Sequence, residues 1–452
     1  MDYNSTLKAY DIRGTIDIIN EEYTINLALN ILEKIDFNSV TISYDTREKS
    51  KTMAEVLMNV FLQKEKKVYD LEICSTPISY FLTKRLGTDI GIIVTASHNP
   101  LNYLGFKIYK KNLIPFSPIE LFQNLKKLET NSNQIVRELF FSKNYEKIDF
   151  RSFVNNYFIH NFSYKNLKNL PFIIDFSNGS AITYEHDFLI NNFQKCFLIN
   201  TNLGTFKHSL NPLDEDALID AKKYIKDYNL NFGIVYDTDA DRTVLLDENS
   251  NPVSGDDLLL FLIYIKKEIL DEKFKVLYDI RSTREIKQYC KKNKIESFES
   301  VVGHYFIKKL MKENDIDIGG EKSSHIYFKE SNYTENSLIL FYYLDAFFSN
   351  KNKKTKSISQ TIEELHKSIS SKELNYEFNI EKDKIIKDLE ELFSNYNKEK
   401  KDGISVWSDF FWFNIRFSNT ENLMRLNLET KNQQIYDKIK NLIEKYLKKV
   451  NI

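Results

Sequence analysis

Glycine is scarce in this chain, with 12 among 452 residues, under half of the roughly 7% usual in globular proteins. Proline (7), cysteine (3) and tryptophan (2) are scarcer still. So little glycine and proline excludes collagen-like repeats and glycine- or proline-rich linkers. The cysteines, Cys74, Cys196 and Cys290, lie far apart and form no Cys-x-x-Cys. That excludes a disulfide-stapled scaffold and a thiolate metal cluster, and predicts buried free thiols in a reducing compartment. No apolar run approaches the roughly 18 residues of a membrane span, and no basic start leads into an apolar core. The expected location is cytoplasmic, with no membrane partner. Neither charge sign dominates, since Lys plus Arg number 63 and Asp plus Glu 64. A nucleic-acid partner is not expected from that balance.

What is present is a soluble globular composition, 42% hydrophobic and 28% charged, long enough for about three domains. The lysine, asparagine and isoleucine richness points to a compositional bias. Glycines that survive it are the ones that need positive φ or close backbone approach. Most sit in polar contexts: Gly14 in "YDIRG", Gly105 in "YLGFK", Gly179 in "DFSNGS", Gly303 in "VVGHYF", and Gly319 and Gly320 in "GGEKSSH". These places are expected to be functional loops.

Apolar runs that end in aspartate recur: "VTISYD" (Asp45), "FIIDF" (Asp175), "FGIVYD" (Asp237) and "KVLYD" (Asp279). Each reads as a buried strand tipping into a loop, and helical periodicity follows several of them. The helix "LLLFLIYIKKEI" follows "SGDD", where Ser254 and Asp257 are predicted to form a capping box. Strand, loop and helix repeated this way predict α/β architecture, with ligands at the strand carboxyl ends. Asp45, Asp175 and Asp279 read as one feature in three successive units. Junctions are expected near 145–150, 250–255 and 352–372, with "NKNKKTKS" a solvated loop. The tail from 373 predicts a smaller α+β domain.

"DTDADR" (237–242) sets carboxylates at i, i+2 and i+4 past a strand. In an irregular loop they can face one point and hold a hard cation such as Mg²⁺. An EF-hand does not fit, because the glycine and the twelfth-position glutamate are missing. "RFSNTENLMR" (416–425) offers a guanidinium, hydroxyls and an amide suited to a phosphate dianion. "GGEKSSH" offers a carboxylate, hydroxyls and an imidazole on a flexible loop, groups that suit sugar hydroxyls. Ser97 in "VTASHNP" has three readings: a hydrolase serine, a helix N-cap, or a phosphoryl carrier facing the aspartates. No G-x-S-x-G elbow supports the first. Only the third accounts for both motifs.

With "KAYDIRG", "TASHNP", "YLGFK", "DTDADR", "VGHYFIK", "GGEKSSH" and "RFSNTE" in order, the chain resembles the α-D-phosphohexomutase superfamily, and within it the bacterial phosphomannomutase/phosphoglucomutase group. The resemblance implies three similar α/β domains, with a mixed sheet between helices, and a smaller α+β TATA-box-protein-like domain around a central cleft. The boundaries read as 1–148, 149–252, 253–368 and 369–452. It implies interconversion of hexose 1-phosphate and hexose 6-phosphate, of mannose and/or glucose, through a phosphoserine and a hexose 1,6-bisphosphate that also serves as activator. Ser97 would carry the phosphoryl group and, with Asp237, Asp239 and Asp241, hold Mg²⁺. Arg13 and Lys107 would flank the transferring group. Tyr10 would face the substrate, Arg242 would lie near the metal, and His304 and Arg281 would line the cleft. Glu321, Ser323 and His325 would grip sugar hydroxyls, and Arg416, Ser418, Asn419 and Thr420 the non-reacting phosphate.

Four residues depart from the family pattern. Thr238 stands for a glycine of the metal loop, Ser324 for the glycine of "SGH", Leu104 for an asparagine and Asn422 for a proline. None removes a charged or nucleophilic group. The alternatives are a phosphoglucosamine mutase, whose usual start "FGTDGIRG" differs from "KAYDIRG", or a non-catalytic sugar-phosphate-binding homologue. The expected partner is a small sugar phosphate, and the expected state a monomer or weak homo-oligomer.

Overall fold

The computed structural model describes residues 3–123, 125, 142–147, 149–349, 356–370, 373–417 and 422–449. Four sheets follow one another along the chain. The first holds β1 (Ile12–Thr15), β2 (Ser39–Tyr44), β3 (Lys67–Ile73), β4 (Ile90–Val94), β5 (Tyr103–Lys110) and β6 (Tyr145–Lys147), in the order β1-β5-β4-β2-β3-β6. The second holds β7 (Phe172–Asp175), β8 (Cys196–Ile199), β9 (Gly233–Tyr236), β10 (Thr243–Leu246) and β11 (Pro252–Val253), in the order β11-β10-β9-β7-β8. The third holds β12 (Lys275–Asp279), β13 (Glu296–Ser300), β14 (Ile318–Gly320), β15 (Ile326–Phe328) and β16 (Thr334–Glu335), in the order β13-β12-β14-β15-β16.

These three orders are one topology. In each unit the first long strand pairs in parallel with the next two, and the third then turns back into an antiparallel neighbour. The three hairpins β4–β5, β9–β10 and β14–β15 are therefore equivalent. Their loops are "TASHNPLN", "DTDADR" and "EKSSH", the three chemical motifs of the sequence. Each inner strand is apolar because both of its faces are covered. β4, "IGIIV", is buried along its whole length, as parallel strands between helices are.

Helix ends obey local chemistry. The helix Thr76–Leu86 starts with Ser75 accepting from the Ile78 N–H and Pro77 in its first turn, and it ends on Gly87 at φ 71°. The Ser254 cap is one-sided, correcting the predicted box. Its Oγ accepts the Asp257 N–H at 3.2 Å, but the Asp257 carboxylate takes the Ser254 hydroxyl at 2.6 Å. Aspartate is one methylene shorter than the glutamate that normally reaches back.

One core cluster joins the first three units, running from Ile78 and Phe81 through Phe172 and Phe261 to Phe341. Each fully buried residue of this kind contributes about 1.5–3 kcal/mol. The fourth sheet has its own core of Phe413, Leu426 and Ile443. It contains β17 (Ile369–Ser370), β18 (Leu374–Glu377), β19 (Asn397–Glu399), β20 (Ile404–Trp407), β21 (Phe411–Phe417) and β22 (Leu423–Thr430). The helices Lys382–Leu392 and Gln433–Lys449 contribute Ile385, Leu389, Ile439 and Ile443 to that core. Among the described residues no helix is long and apolar enough to cross a membrane.

Two sequence expectations need correction here. Gly14, Gly105, Gly319 and Gly320 lie within strands beside the motifs, not in loops. At Gly105 a Cβ would stand 2.4 Å from the Ile12 carbonyl oxygen, so close strand approach is what requires glycine. Of the three free cysteines, Cys74 and Cys290 are buried, but Cys196 is only half-buried.

Candidate active site

Ser97 stands in the β4–β5 loop in the left-handed region, at φ 50°, and is 2% exposed. The loop starts no helix, so the N-cap reading of Ser97 falls. Its N–H donates to Thr95 Oγ1 at 2.9 Å. Its hydroxyl lies 3.1 Å from Asp237 Oδ2 and 3.2 Å from His98 Nδ1. Two hairpin loops of different units thus meet at the serine.

Asp237, Asp239 and Asp241 present oxygens that all lie within 4.8 Å of one another, and all three residues are buried. The left-handed position of this loop is Ala240, at φ 55°, so the Thr238 departure falls on ordinary backbone. Thr238 instead packs against Gly179, where a Cβ would stand 2.5 Å from its carbonyl oxygen. Lys107, reaching from β5, places Nζ 2.5 Å from both Asp239 Oδ2 and Asp241 Oδ2. Asp239 Oδ1 and Asp241 Oδ1 are buried without a hydrogen-bond partner among the described residues. Three convergent carboxylates with unpartnered oxygens fit a small hard divalent cation.

The electrostatics agree. Burial, then Asp241 and Asp239, push the Asp237 carboxyl well above the usual range. Burial acts the same way on Asp241, yet Lys107, His325 and Arg242 hold it well below. Burial would lower Lys107, but Asp239 and Asp241 raise it well above an ordinary lysine. Close like charges in a buried site call for positive charge.

Arg13 pairs with Asp11 at 2.7 Å and reaches Asn99 Oδ1 at 3.3 Å. Tyr10 stacks on Tyr305 and meets His304 edge-on, with centroids 5.7 and 5.5 Å apart. Burial, with Lys308 nearby, brings the His304 imidazole down to about 3, so it is neutral. Gly303 has φ 124°, and a Cβ there would stand 2.8 Å from the Tyr10 ring. Arg242 Nε donates to His325 Nε2 at 3.2 Å.

The "EKSSH" segment is a tight hairpin turn, which corrects the flexible-loop expectation. The Ser324 N–H donates to the Glu321 carbonyl at 3.0 Å, and Ser324 is left-handed at φ 68° where the family pattern has glycine. Glu321 is fixed by the Gly303 N–H at 3.2 Å and the Tyr327 hydroxyl at 2.7 Å, beside a half-buried Ser323. Arg281 Nη2 stands 3.7 Å from Glu321. Leu104 is buried in the first unit's core, and Asn422 is exposed. Arg416 donates to Glu373 at 3.1 Å. Ser418, Asn419 and Thr420 lie outside the described residues.

Sequence reading missed several supporting side chains. Arg47 is buried, and its guanidinium donates to the carbonyls of Ser97 (2.6 Å), Asn99 (2.6 Å) and Pro100 (2.8 Å) as well as to Asp45 (3.2 Å). It holds the serine loop in shape. Thr76 donates to Asp239 Oδ2 at 2.6 Å, and the Lys308–Glu335 pair, 2.9 Å apart, backs His325. One signal was available. Tyr-Asp-x-Arg occurs at 10–13, 44–47 and 278–281, and each time the arginine Nε donates to the aspartate two residues back. Replacing Arg47 with lysine leaves one ammonium for four acceptors. Stability is expected to fall by about 2–4 kcal/mol and kcat by at least tenfold, measured by thermal melting and steady-state kinetics. An unchanged kcat would remove Arg47 from any positioning role.

Comparisons with known proteins agree with this geometry. Residues 4–133, 150–251 and 254–368 match the phosphoglucomutase/phosphomannomutase α/β/α domains I, II and III, respectively. The phosphomannomutase of Methanocaldococcus jannaschii is 36% identical over 450 residues, covering 97% of both chains. The phosphomannomutase of Vibrio cholerae is 29% identical over 481 residues, covering 98% of each. A solved phosphoglucomutase/phosphomannomutase family protein from Burkholderia thailandensis shares the fold, with a TM-score of 0.82 at 21% identity over 100% of this chain and 98% of that one. The repeated topology, the three motif-bearing hairpins and these matches together place the chain: it belongs to the phosphoglucomutase/phosphomannomutase family of the α-D-phosphohexomutase superfamily.

Proposed function

We propose that this enzyme interconverts hexose 1-phosphate and hexose 6-phosphate, with Ser97 as the phosphoryl carrier. The observation that carries the reading is Ser97 Oγ at 3.1 Å from Asp237, at the edge of a buried carboxylate cluster that Lys107 also enters. In the forward direction the bond between phosphorus and Ser97 Oγ breaks as O6 of a hexose 1-phosphate bonds to phosphorus. The O6 proton passes to the departing Ser97 Oγ, which leaves as a hydroxyl, while neutral His304 lines the cleft. The bisphosphate turns over, its O1–P bond breaks as Ser97 Oγ bonds to that phosphorus, and the Ser97 hydroxyl proton ends on O1, leaving hexose 6-phosphate. Mg²⁺ is the ion that Asp237, Asp239 and Asp241 would hold, and when bound it supplies charge neutralisation for the phosphoryl oxygens. Lys107 and Arg13 add fixed positive charge. Tyr10 and Arg281 line the substrate side, Arg242 orients His325, and Arg416 with Ser418, Asn419 and Thr420 takes the other phosphate. A hexose 1,6-bisphosphate reloads Ser97 when the intermediate escapes. A coupled assay with glucose 1-phosphate and mannose 1-phosphate, with and without added bisphosphate, tests the reading. No turnover of either sugar phosphate overturns it.

Specificity follows from the hydroxyl grip. Glu321 is held from two sides and keeps acceptor capacity for two hydroxyls, with Ser323 beside it. O3 and O4 have the same configuration in mannose and glucose, which differ only at O2. A site that leaves O2 unread cannot separate them strongly. The two kcat/KM values are expected to agree within about 30-fold, or roughly 2 kcal/mol. A ratio above roughly 10³ would show that a group here reads O2.

A further inference from the structure

Glu373 stands where two arginines converge. The register of β21 on β22 puts Arg416 directly opposite Arg425, and like charges on facing residues repel. β18 lies along the other edge of β22 with Leu374 opposite Leu426, which brings Glu373 level with Asn427. Its Oε2 accepts from Arg416 Nη2 at 3.1 Å and Asn427 Nδ2 at 3.2 Å, and its Oε1 lies 3.7 Å from Arg425 Nη1. Burial opposes ionisation of Glu373, but Arg416, the Asn427 amide and Arg281 from the third unit hold its carboxyl below the usual range. Arg416 Nε is buried with no hydrogen-bond partner among the described residues. Two guanidiniums, an amide and a third arginine in range are the donors a phosphate takes.

We propose that Glu373 is an internal stand-in for the substrate's non-reacting phosphate, neutralising the Arg416–Arg425 pair between turnovers and competing with the phosphate for it. The Glu373 side chain is 28% exposed, so it can swing towards solvent when a dianion arrives. The competition serves the chemistry. A bisphosphate that must turn over inside the cleft has to release this phosphate and offer the other one in each cycle. A bare arginine pair would hold it too tightly. A carboxylate that returns to the arginines speeds the release.

The inference rests on the mutase reading for its substrate, but its test does not need turnover. Orthophosphate is titrated calorimetrically into the full-length wild type, Glu373→Gln, Arg416→Ala and the double variant. Glucose 1-phosphate kinetics run in parallel. Glutamine keeps the size and removes the charge. The orthophosphate Kd and the substrate KM are expected to fall about three- to tenfold in Glu373→Gln, with kcat lowered because release slows. The gain must vanish in the Arg416→Ala background, which locates it. A Kd and KM that stay level or rise overturn the proposal, because Glu373 then only fastens the arginines in place. If Glu373→Gln does not fold, Glu373→Asp withdraws the carboxylate by one methylene. It must tighten orthophosphate binding in the same sense, and weaker binding overturns the proposal. A wild type that binds orthophosphate but turns over no hexose phosphate would defeat the mutase reading and leave the Glu373 result standing.

Discussion

Ser97→Ala is expected to lower kcat by at least a thousandfold, about 4 kcal/mol in barrier, while the protein still folds. The activity loss follows from removing the one oxygen that can hold the phosphoryl group at this place. The stability expectation follows from how the loop is built. The Ser97 N–H is satisfied by Thr95 Oγ1, and its carbonyl by Arg47. Neither bond involves the side chain that is removed. Alanine tolerates the left-handed φ of 50° about as well as serine does. Asp237 loses only one donor at 3.1 Å, a change of about 1 kcal/mol. Melting temperature, kcat and intact mass check the three parts together. Wild type purified from cells is expected to carry a fraction with the mass of one added phosphoryl group, and the variant none. A variant retaining more than about a tenth of wild-type kcat would falsify the carrier role.

Much of the site was legible because its groups come in short runs. "DTDADR" declares its chemistry by spacing alone, and the structure gathers its three carboxylates. Lys107 was different. Nothing in "YLGFK" says that a lysine will reach two aspartates 132 and 134 residues further on; only the family pattern placed it there. Arg47 was overlooked because a single arginine after a strand is an ordinary surface residue by composition. Its role appears only when the β4–β5 loop folds over it. Glu373 was overlooked for a related reason. Its partners lie across two strand pairings, and register is not written in any local window. The glycines were misread in the opposite direction. Their polar neighbours marked function correctly, yet Gly14, Gly105, Gly319 and Gly320 stand in strands rather than loops, and Gly105 serves strand-to-strand approach, while Gly303 does take a positive φ. Asp45, Asp175 and Asp279 did repeat as expected. Each accepts the N–H two residues on, from Arg47, Ser177 and Arg281, respectively. The deeper repeat, three equivalent hairpin loops carrying the three motifs, required strand order. Sequence alone gives the strands but not which of them turns back on its neighbour.

Asp239→Asn is expected to reduce kcat by about a hundredfold or more and to raise the Mg²⁺ concentration needed for half-maximal activity. Asp239 is fully buried, and its two oxygens have different duties. Oδ2 accepts from Thr76 Oγ1 at 2.6 Å and Lys107 Nζ at 2.5 Å, while Oδ1 has no partner among the described residues. An asparagine must turn its single carbonyl oxygen towards those two donors. Its NH₂ group then occupies the position of Oδ1. A donor therefore replaces an acceptor where a cation would need one, in addition to the loss of a full negative charge. Two unit charges about 4 Å apart interact by roughly 4 kcal/mol at an effective dielectric constant near 20. Losing one facing carboxylate therefore weakens a divalent ion's hold by at least two orders of magnitude. The backbone bond from the Thr76 N–H to the Asp239 carbonyl, 2.9 Å, is untouched, so the loop keeps its place. Activity alone would not separate ion binding from positioning of Lys107, and thermal melting does. Mg²⁺ is expected to raise the wild-type melting temperature, because a ligand that binds only the folded state stabilises it. It should raise the variant's much less at the same concentration. Equal shifts in the two proteins, or a wild type that keeps full activity in excess EDTA, would remove the aspartates from metal binding.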